Sequence, residues 1–572
     1  MMSTQEFERE PVRPEKLQPA RNFAASYAGE HVAGTEFVIG AMFVTWGVGT
    51  GDILTGLLLG NLLAVLSWAL ICAPIAADTR LTLYAYLEKI GGPGTVKIYS
   101  VVNGILFCIL AGAMITVSAS AVRILFDLPS QVHWYPTSVG FVLVALLVGI
   151  VVVAIAMRGF RRVAQFAEVC APWMILMFLA GSLSMLPVLV GATPGISSIE
   201  NFSQFKAIAD TYIWVEGESE MGMWHVAAFA WICNLSMHGG LSDMTVLRFA
   251  RKKQYGYFSA FGMFVGHFLA WIWAGIMGAG AALLMKTTVT ELDPGAVAFQ
   301  ALGAAGILAV IIAGWTTSNP TIYRAGLAFQ SINPSWNRTK VTAVVGAVTT
   351  AIACFPFVFS KLMDFVGLMG LLLSPVGAII VTEHWVFPKI GKTRYWAHYK
   401  KLTTNIAAIF TWMSALLIAF VLNQLGLHLF FLLIPTWISA MLIYTVMASR
   451  MGAAGDYREQ AAIDTAAEEK RKNEEKRYLQ ELADSKFKGH GNIQPSIFMN
   501  MWGALSLVSL GACLLLAVLA YVGIITLDEF RNVLIWPTLL YFVSATRWVI
   551  YRESTQESHS SVNVAGDTPD LA

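Results

Sequence analysis

Charge is scarce in this chain: 13% of its 572 residues are Asp, Glu, Lys or Arg, against 56% hydrophobic residues. Mean hydropathy is +0.62. That balance excludes an ordinary soluble globular protein and indicates a polytopic membrane protein. Cysteine is scarce as well. Cys72, Cys108, Cys170, Cys233, Cys354 and Cys513 all sit inside apolar stretches with no CxxC spacing. This excludes a disulfide frame or a thiolate metal cluster and leaves small buried hydrophobes. A cleavable leader is also missing, because the first thirty residues are polar, with Arg9, Arg13, Lys16 and Arg21 and no apolar core. There is no nucleophile–base pair and no cofactor loop, so the chain does not read as an enzyme. Nothing in it points to nucleic acid, and a net charge of +2 does not indicate a partner.

What is present is a series of apolar stretches long enough to cross ~30 Å of hydrocarbon. They fall at 34–51, 53–77, 97–122, 138–157, 164–191, 223–246, 256–285, 298–330, 341–359, 363–387, 403–424, 428–449, 499–524 and 530–549. The pattern predicts an all-α polytopic protein of about 14 transmembrane helices. The first run is short, so Phe23–Ala33 is expected to enter the membrane as its amphipathic half. Segment 8 is long enough to bend. With both termini cytoplasmic, only Arg123, Lys206, Lys286, Lys361 and Arg531 of the 38 lysines and arginines face outside, apart from Arg324 within a segment. That asymmetry fits an inner (cytoplasmic) membrane.

The predicted organisation is a tail (1–22), a first set of five segments (23–191), an outer loop (192–222) and a second set of five (223–387). Segments 11–12 (388–450), a charged linker (451–497), segments 13–14 (498–552) and a disordered tail (553–572) follow. Residues 455–490 read as a cytoplasmic helix or a flexible linker. Five is odd, so the second set must run through the membrane in the opposite sense. This 5+5 inverted repeat puts segments 1 and 6 in equivalent places near the midplane.

Both of those segments are interrupted. Segment 1 contains His31-Val-Ala-Gly34-Thr35-Glu36, then Gly40, Gly47 and Gly49. Segment 6 reads Trp231-Ile-Cys-Asn234-Leu-Ser236-Met-His238-Gly239-Gly240-Leu-Ser242-Asp243. Irregular backbone at membrane depth persists only where protein or a water-filled cavity surrounds it, and paired breaks point to a transporter's binding site. Segment 8 adds Thr316-Thr317-Ser318-Asn319-Pro320, where the proline frees the Thr316 carbonyl. Thr316 and Thr317 are therefore cation-site candidates, with backbone oxygens of Val38 and Ala41 as their partners from segment 1. The competing reading is a proline kink whose hydroxyls satisfy their own helix.

Asn234 and His238, beside the Gly-Gly break, are solute-site candidates, as are Trp231, Asn103, Phe107, Ser318 and Asn319. Glu36 is a candidate for proton coupling or a gate, since ionisable groups in the membrane are costly. Glu30 and His31 are placed at the interface. Asp243 is expected to pair with Arg248, as a structural or gating contact.

With these residues assembled, the chain resembles the nucleobase:cation symporter-1 family, which includes cytosine and purine permeases. The likeness rests on Gly60-Asn61, Thr79-Arg-Leu-Thr82-Leu-Tyr84 and Gly91-Gly92-Pro93-Gly94, and on Asp243…Arg248. Thr316-Thr317-Ser318-Asn319 and Ser374-Pro375-Val-Gly377 extend it over roughly residues 23–450. The chain departs from the family in having Phe107 where a tryptophan is usual and fourteen segments rather than twelve. The resemblance implies the fold of the amino acid–polyamine–organocation superfamily and alternating access. It further implies symport of a nucleobase-like solute (purine, pyrimidine, hydantoin or allantoin type) with Na⁺ or H⁺ and no cofactor. A solute:sodium symporter-like carrier, a divalent-metal carrier and a transporter-derived sensor remain as alternatives.

Overall fold

The computed structural model describes residues 9–131, 133–158, 160–333, 335–356, 361–488 and 497–565. Segment 1 is α1 (Ala20–His31) followed by α2 (Gly34–Phe43). Segments 2 to 5 are α3 (Thr50–Thr79), α4 (Leu83–Phe126), α5 (Val139–Ala156) and α6 (Gln165–Ala192). Segment 6 is α7 (Met223–Ile232) and α8 (Leu235–His238), and segment 7 is α9 (Lys253–Met285). Segment 8 bends as its length predicts: Gly303, at φ +61°, separates α10 (Pro294–Leu302) from α11 (Ala304–Gln330). Segments 9 to 12 are α12 (Arg338–Ala353), α13 (Leu362–Lys389), α14 (Ile406–Gln424) and α15 (Leu433–Ala448). The linker contains the helix α16 (Arg458–Lys488), and α17 (Asn500–Tyr521) and α18 (Leu527–Arg552) complete the segments.

Ten of these helices are long and apolar enough to cross a membrane. The two broken segments and the shorter α12 and α15 account for the other four predicted crossings. The protein is an all-helical integral membrane protein. Beyond Arg552 the last helix continues to Ala565, where the sequence predicts a disordered tail; the Glu, Gln and Ser residues there are compatible with a helix. Parts of the linker (489–496) and of the tail (566–572) lie outside the described residues.

The packing displays the inverted repeat. Segment 1 lies on segment 7, where a Cβ at Gly40 would come within 2.6 Å of the Trp271 carbonyl. Segment 6 lies on segment 2 in the mirrored pairing, where a Cβ at Gly60 would come within 2.1 Å of the Ala227 carbonyl. Segments 3 and 8 are symmetry mates and pack on each other, with Gly314 against Ser118 and Met114. Close approach through small residues is how helices associate where lipid removes the hydrophobic drive.

The additional helices follow the same symmetry. Helix α14 leans on α13, with Trp412 Nε1 donating to Leu372 O at 2.7 Å. On α6, the mate of α13, sit α17 and α18. There Trp173 Nε1 donates to Thr538 Oγ1 at 3.1 Å, and Arg552 pairs with Glu168 at 2.6 Å. Helix α16 lies across the face that carries the N-terminus. It pairs Lys472 with Asp78 at 2.5 Å and Glu475 with Arg80, and Tyr399 donates to Asp464 at 2.9 Å.

Candidate functional site at the two helix breaks

Helix α1 ends at His31. Val32 (φ −99°, ψ 73°) and Ala33 (φ −124°, ψ 178°) leave the helical region before α2 restarts at Gly34. A Cβ on Gly34 would come within 2.5 Å of Val117 and 3.4 Å of the Gly314 nitrogen, so the break lies against α4 and α11. A restarting helix exposes unsatisfied N–H groups at its first turn. Glu36 supplies the acceptor. Its Oε2 accepts from the Ala33 N–H at 3.2 Å and from the Thr35 hydroxyl at 2.5 Å. The side chain is fully buried, and Oε1 has no hydrogen-bond partner.

His267 of α9 stands beside it, with Nε2 3.3 Å from Glu36 Oε1. The imidazole lies flat on Trp271, centroids 4.3 Å apart and planes 13° apart, and meets His31 edge-on at 5.1 Å. Asn234 Nδ2 and Cys233 Sγ, both from the segment 6 break, are each 3.4 Å from a ring nitrogen of His267. The two breaks therefore meet across one imidazole.

Segment 6 is interrupted twice, first at Asn234 (φ −111°, ψ 23°) and again after His238, where Leu241 takes φ +62°. His238 is fully buried; its Nε2 lies 2.9 Å from the Trp231 carbonyl and its ring 4.8 Å from that of Trp68. Trp231 Nε1 donates to Ser67 at 3.0 Å. Helix α13 seals the second interruption, because a Cβ on Gly377 would lie only 1.7 Å from the Gly239 carbonyl.

Arg324 of α11 joins the two segments electrostatically. Its guanidinium reaches Glu30 Oε1 at 2.5 Å and Oε2 at 3.1 Å, and Asp243 Oδ1 at 2.6 Å. The other Asp243 oxygen accepts from Trp68 Nε1 at 2.7 Å and from the Tyr27 hydroxyl at 3.1 Å. A buried cation shared by two carboxylates is tolerable only with such close pairing, here through both terminal guanidinium nitrogens while Nε has no partner.

About two turns before Arg324 on α11, Thr317 Oγ1 donates to the Glu30 carbonyl at 3.1 Å and to the Ala313 carbonyl at 3.2 Å. Thr316 Oγ1 also bonds Ala313 O, at 3.0 Å. Four hard oxygens from segments 1 and 8 thus lie together: two hydroxyls and the carbonyls of Ala313 and Glu30. Ser318 bonds its own helix at Gly314 O, 2.7 Å away, and the buried Asn319 leaves both amide atoms unpaired.

Three expectations need correction. The break falls at Val32–Ala33, so Val38 and Ala41 lie within α2 and line a cavity of about 290 Å³ with Asp293 and Trp134; the segment 1 oxygen at Thr317 is that of Glu30. Asn103 and Phe107 lie on α4 well before Val117, roughly 20 and 15 Å along the helix axis. Asn103 instead donates to the Tyr84 hydroxyl at 2.9 Å, and Phe107 is core. Level with the break on α4 are Met114, Val117 and Ser118. Asp243 pairs with Arg324 rather than Arg248, whose Nε donates to Thr245 O. Glu30 and His31 are buried within the protein. The sequence reading missed Arg324 and His267 as site residues. The cost of an unpaired intramembrane arginine would have pointed to Arg324, and the lone histidine of segment 7 to His267.

Comparison with solved structures places this geometry in context. Mhp1, a nucleobase-cation-symport-1 family transporter in a closed conformation with bromovinylhydantoin bound, superposes with a TM-score of 0.60 at 14% identity. The match covers 82% of this chain and 99% of that one. The chain has the inverted-repeat transporter fold. Inward-facing Mhp1 matches with a TM-score of 0.56 at 14% identity, over 79% of this chain and 96% of that one. A substrate-bound, outward-open Na⁺-coupled sialic acid symporter matches at 0.53 and 13%, over 78% and 92%. No protein-family model and no curated protein sequence matches the chain.

Proposed function

We propose that this protein is a secondary active transporter that moves a small, polar, nucleobase-like solute by cation-coupled symport and alternating access. The observation that carries the reading is the meeting of the two helix breaks at His267, beside the oxygen cluster on α11. Unwound backbone with its own polar side chains is what a solute site inside a membrane requires. In this reading Asn234, His238 and Trp231 serve the solute together with His267 and Trp271, and the unpaired amide of Asn319 is available to it. Thr316, Thr317, Ala313 O and Glu30 O form an all-oxygen set suited to a small hard cation, and their chemistry fits Na⁺.

Asp243 acts in the gate through Arg324. Residues 23–191 and 223–387 are the two repeats. Both termini are cytoplasmic: Arg80, Arg251, Lys253, Lys389, Arg394, Lys472 and Lys476 share one surface recess on the N-terminal face, as the positive-inside rule requires of a cytoplasmic side.

The test is uptake into proteoliposomes of radiolabelled uracil, cytosine, adenine and hydantoin, with and without inward Na⁺ or H⁺ gradients. Uptake that ignores both gradients would remove the coupling. The alternative, a non-nucleobase solute such as the sialic acid of one structural neighbour, differs in charge.

A further inference from the structure

The first turn of a helix is where a broken segment holds an anionic group, because bare N–H groups and the positive end of the helix dipole converge there. In α2 that place is already filled from within the chain. Glu36 Oε2 takes the Ala33 N–H, and its charge sits in the first turn. The Arg324 guanidinium, the strong cation of this region, is held between Glu30 and Asp243. What remains open is an acceptor: Glu36 Oε1, buried, without a hydrogen-bond partner and 3.3 Å from Nε2 of His267, a ring that His31, Cys233 and Asn234 border in turn. Trp271, behind His267, offers a flat apolar wall.

We propose that Glu36 is a substrate ligand. Its free oxygen accepts an N–H of the solute, while its other oxygen closes the anion site of the broken helix. The transporter therefore takes neutral or cationic N–H donors and rejects solutes that present a carboxylate at this point. This rests on the breaks being the solute site, and it narrows the substrate class there. Cationic amines and heterocycles with ring N–H groups qualify; carboxylate-bearing relatives do not, since two carboxylates would compete for one N–H group.

The test uses the purified full-length chain in lipid nanodiscs and calorimetric binding of two matched pairs: uracil against orotate, and tyramine against tyrosine. The member lacking the carboxylate should bind at least ~10-fold tighter in its pair, and Glu36→Gln should weaken it by about 10- to 100-fold, the worth of a hydrogen bond to a charged group. The unfolding temperature of Glu36→Gln and the charge-retaining Glu36→Asp serve as folding controls, and the wild-type pairs need no variant. Orotate binding as tightly as uracil would overturn the inference while leaving the nucleobase reading intact. Tyramine binding where uracil does not would sink the nucleobase reading and support Glu36. Unchanged affinity in a folded Glu36→Gln protein would also overturn the inference.

Discussion

The breaks in segments 1 and 6 hold equivalent places in the two repeats but are satisfied in different ways. At segment 1 only Val32 and Ala33 leave the helix, and a carboxylate from the restarting helix caps the gap. At segment 6 the backbone largely satisfies itself. Gly240 N–H bonds Leu235 O at 2.7 Å, Ser242 N–H bonds Ser236 O at 3.1 Å, and Asp243 N–H bonds Met237 O at 3.2 Å. One break thus concentrates side-chain charge, and the other presents shape, with Trp68, Trp231 and His238 packed around a closed backbone turn. Symmetry of topology does not impose symmetry of chemistry, because each break is satisfied by the side chains and backbone packed around it and not by its mate.

Arg324 tests the comparison most severely, since it pairs with a carboxylate from each side. Arg324→Met should destabilise the fold by about 3–5 kcal/mol by leaving two buried carboxylates uncompensated, seen as a lower unfolding temperature in detergent. If a single added change, Glu30→Gln, restored most of the loss and Asp243→Asn did not, the charge would belong to segment 1 alone. Next in size is Thr317→Ala, which should raise the cation concentration for half-maximal uptake by roughly 10-fold, a change of about 1.4 kcal/mol. An unaltered sodium dependence would remove the cation role from the segment 1 side. Smaller still, Asn234→Ala should weaken solute affinity by about 5-fold, in line with one hydrogen bond, while the half-saturating cation concentration stays fixed. Equal shifts in both constants would mean that the breaks do not divide the labour.

Much of this architecture was legible in the sequence. Hydropathy located the apolar segments, ten of which are helices long enough to cross a membrane, and the glycine clusters located two interrupted segments, because backbone that cannot stay helical needs residues of that kind. The position of the first break was not legible. Gly34, Gly40, Gly47 and Gly49 are alike on the page, yet Gly34 starts a helix, Gly40 makes room for Trp271, and Gly47 takes φ +67° in the turn after α2. Pairing was harder still. Asp243 has Arg248 five residues away in sequence, but the fold brings it Arg324 from another segment. Local spacing carries no record of a contact formed by packing six or seven crossings together.

Glu30 and Arg324 are 294 residues apart. At ~10 residues per second of synthesis, the carboxylate waits on the order of half a minute for its counter-charge. Segment 1 cannot settle at its final depth as an ion-paired helix until segment 8 has been made. A nascent chain ending at Met285 holds Glu30 and Asp243 without the guanidinium that pairs with both. The order of translation is thus written into this buried triad, which makes final assembly of segment 1 dependent on a segment in the middle of the second repeat.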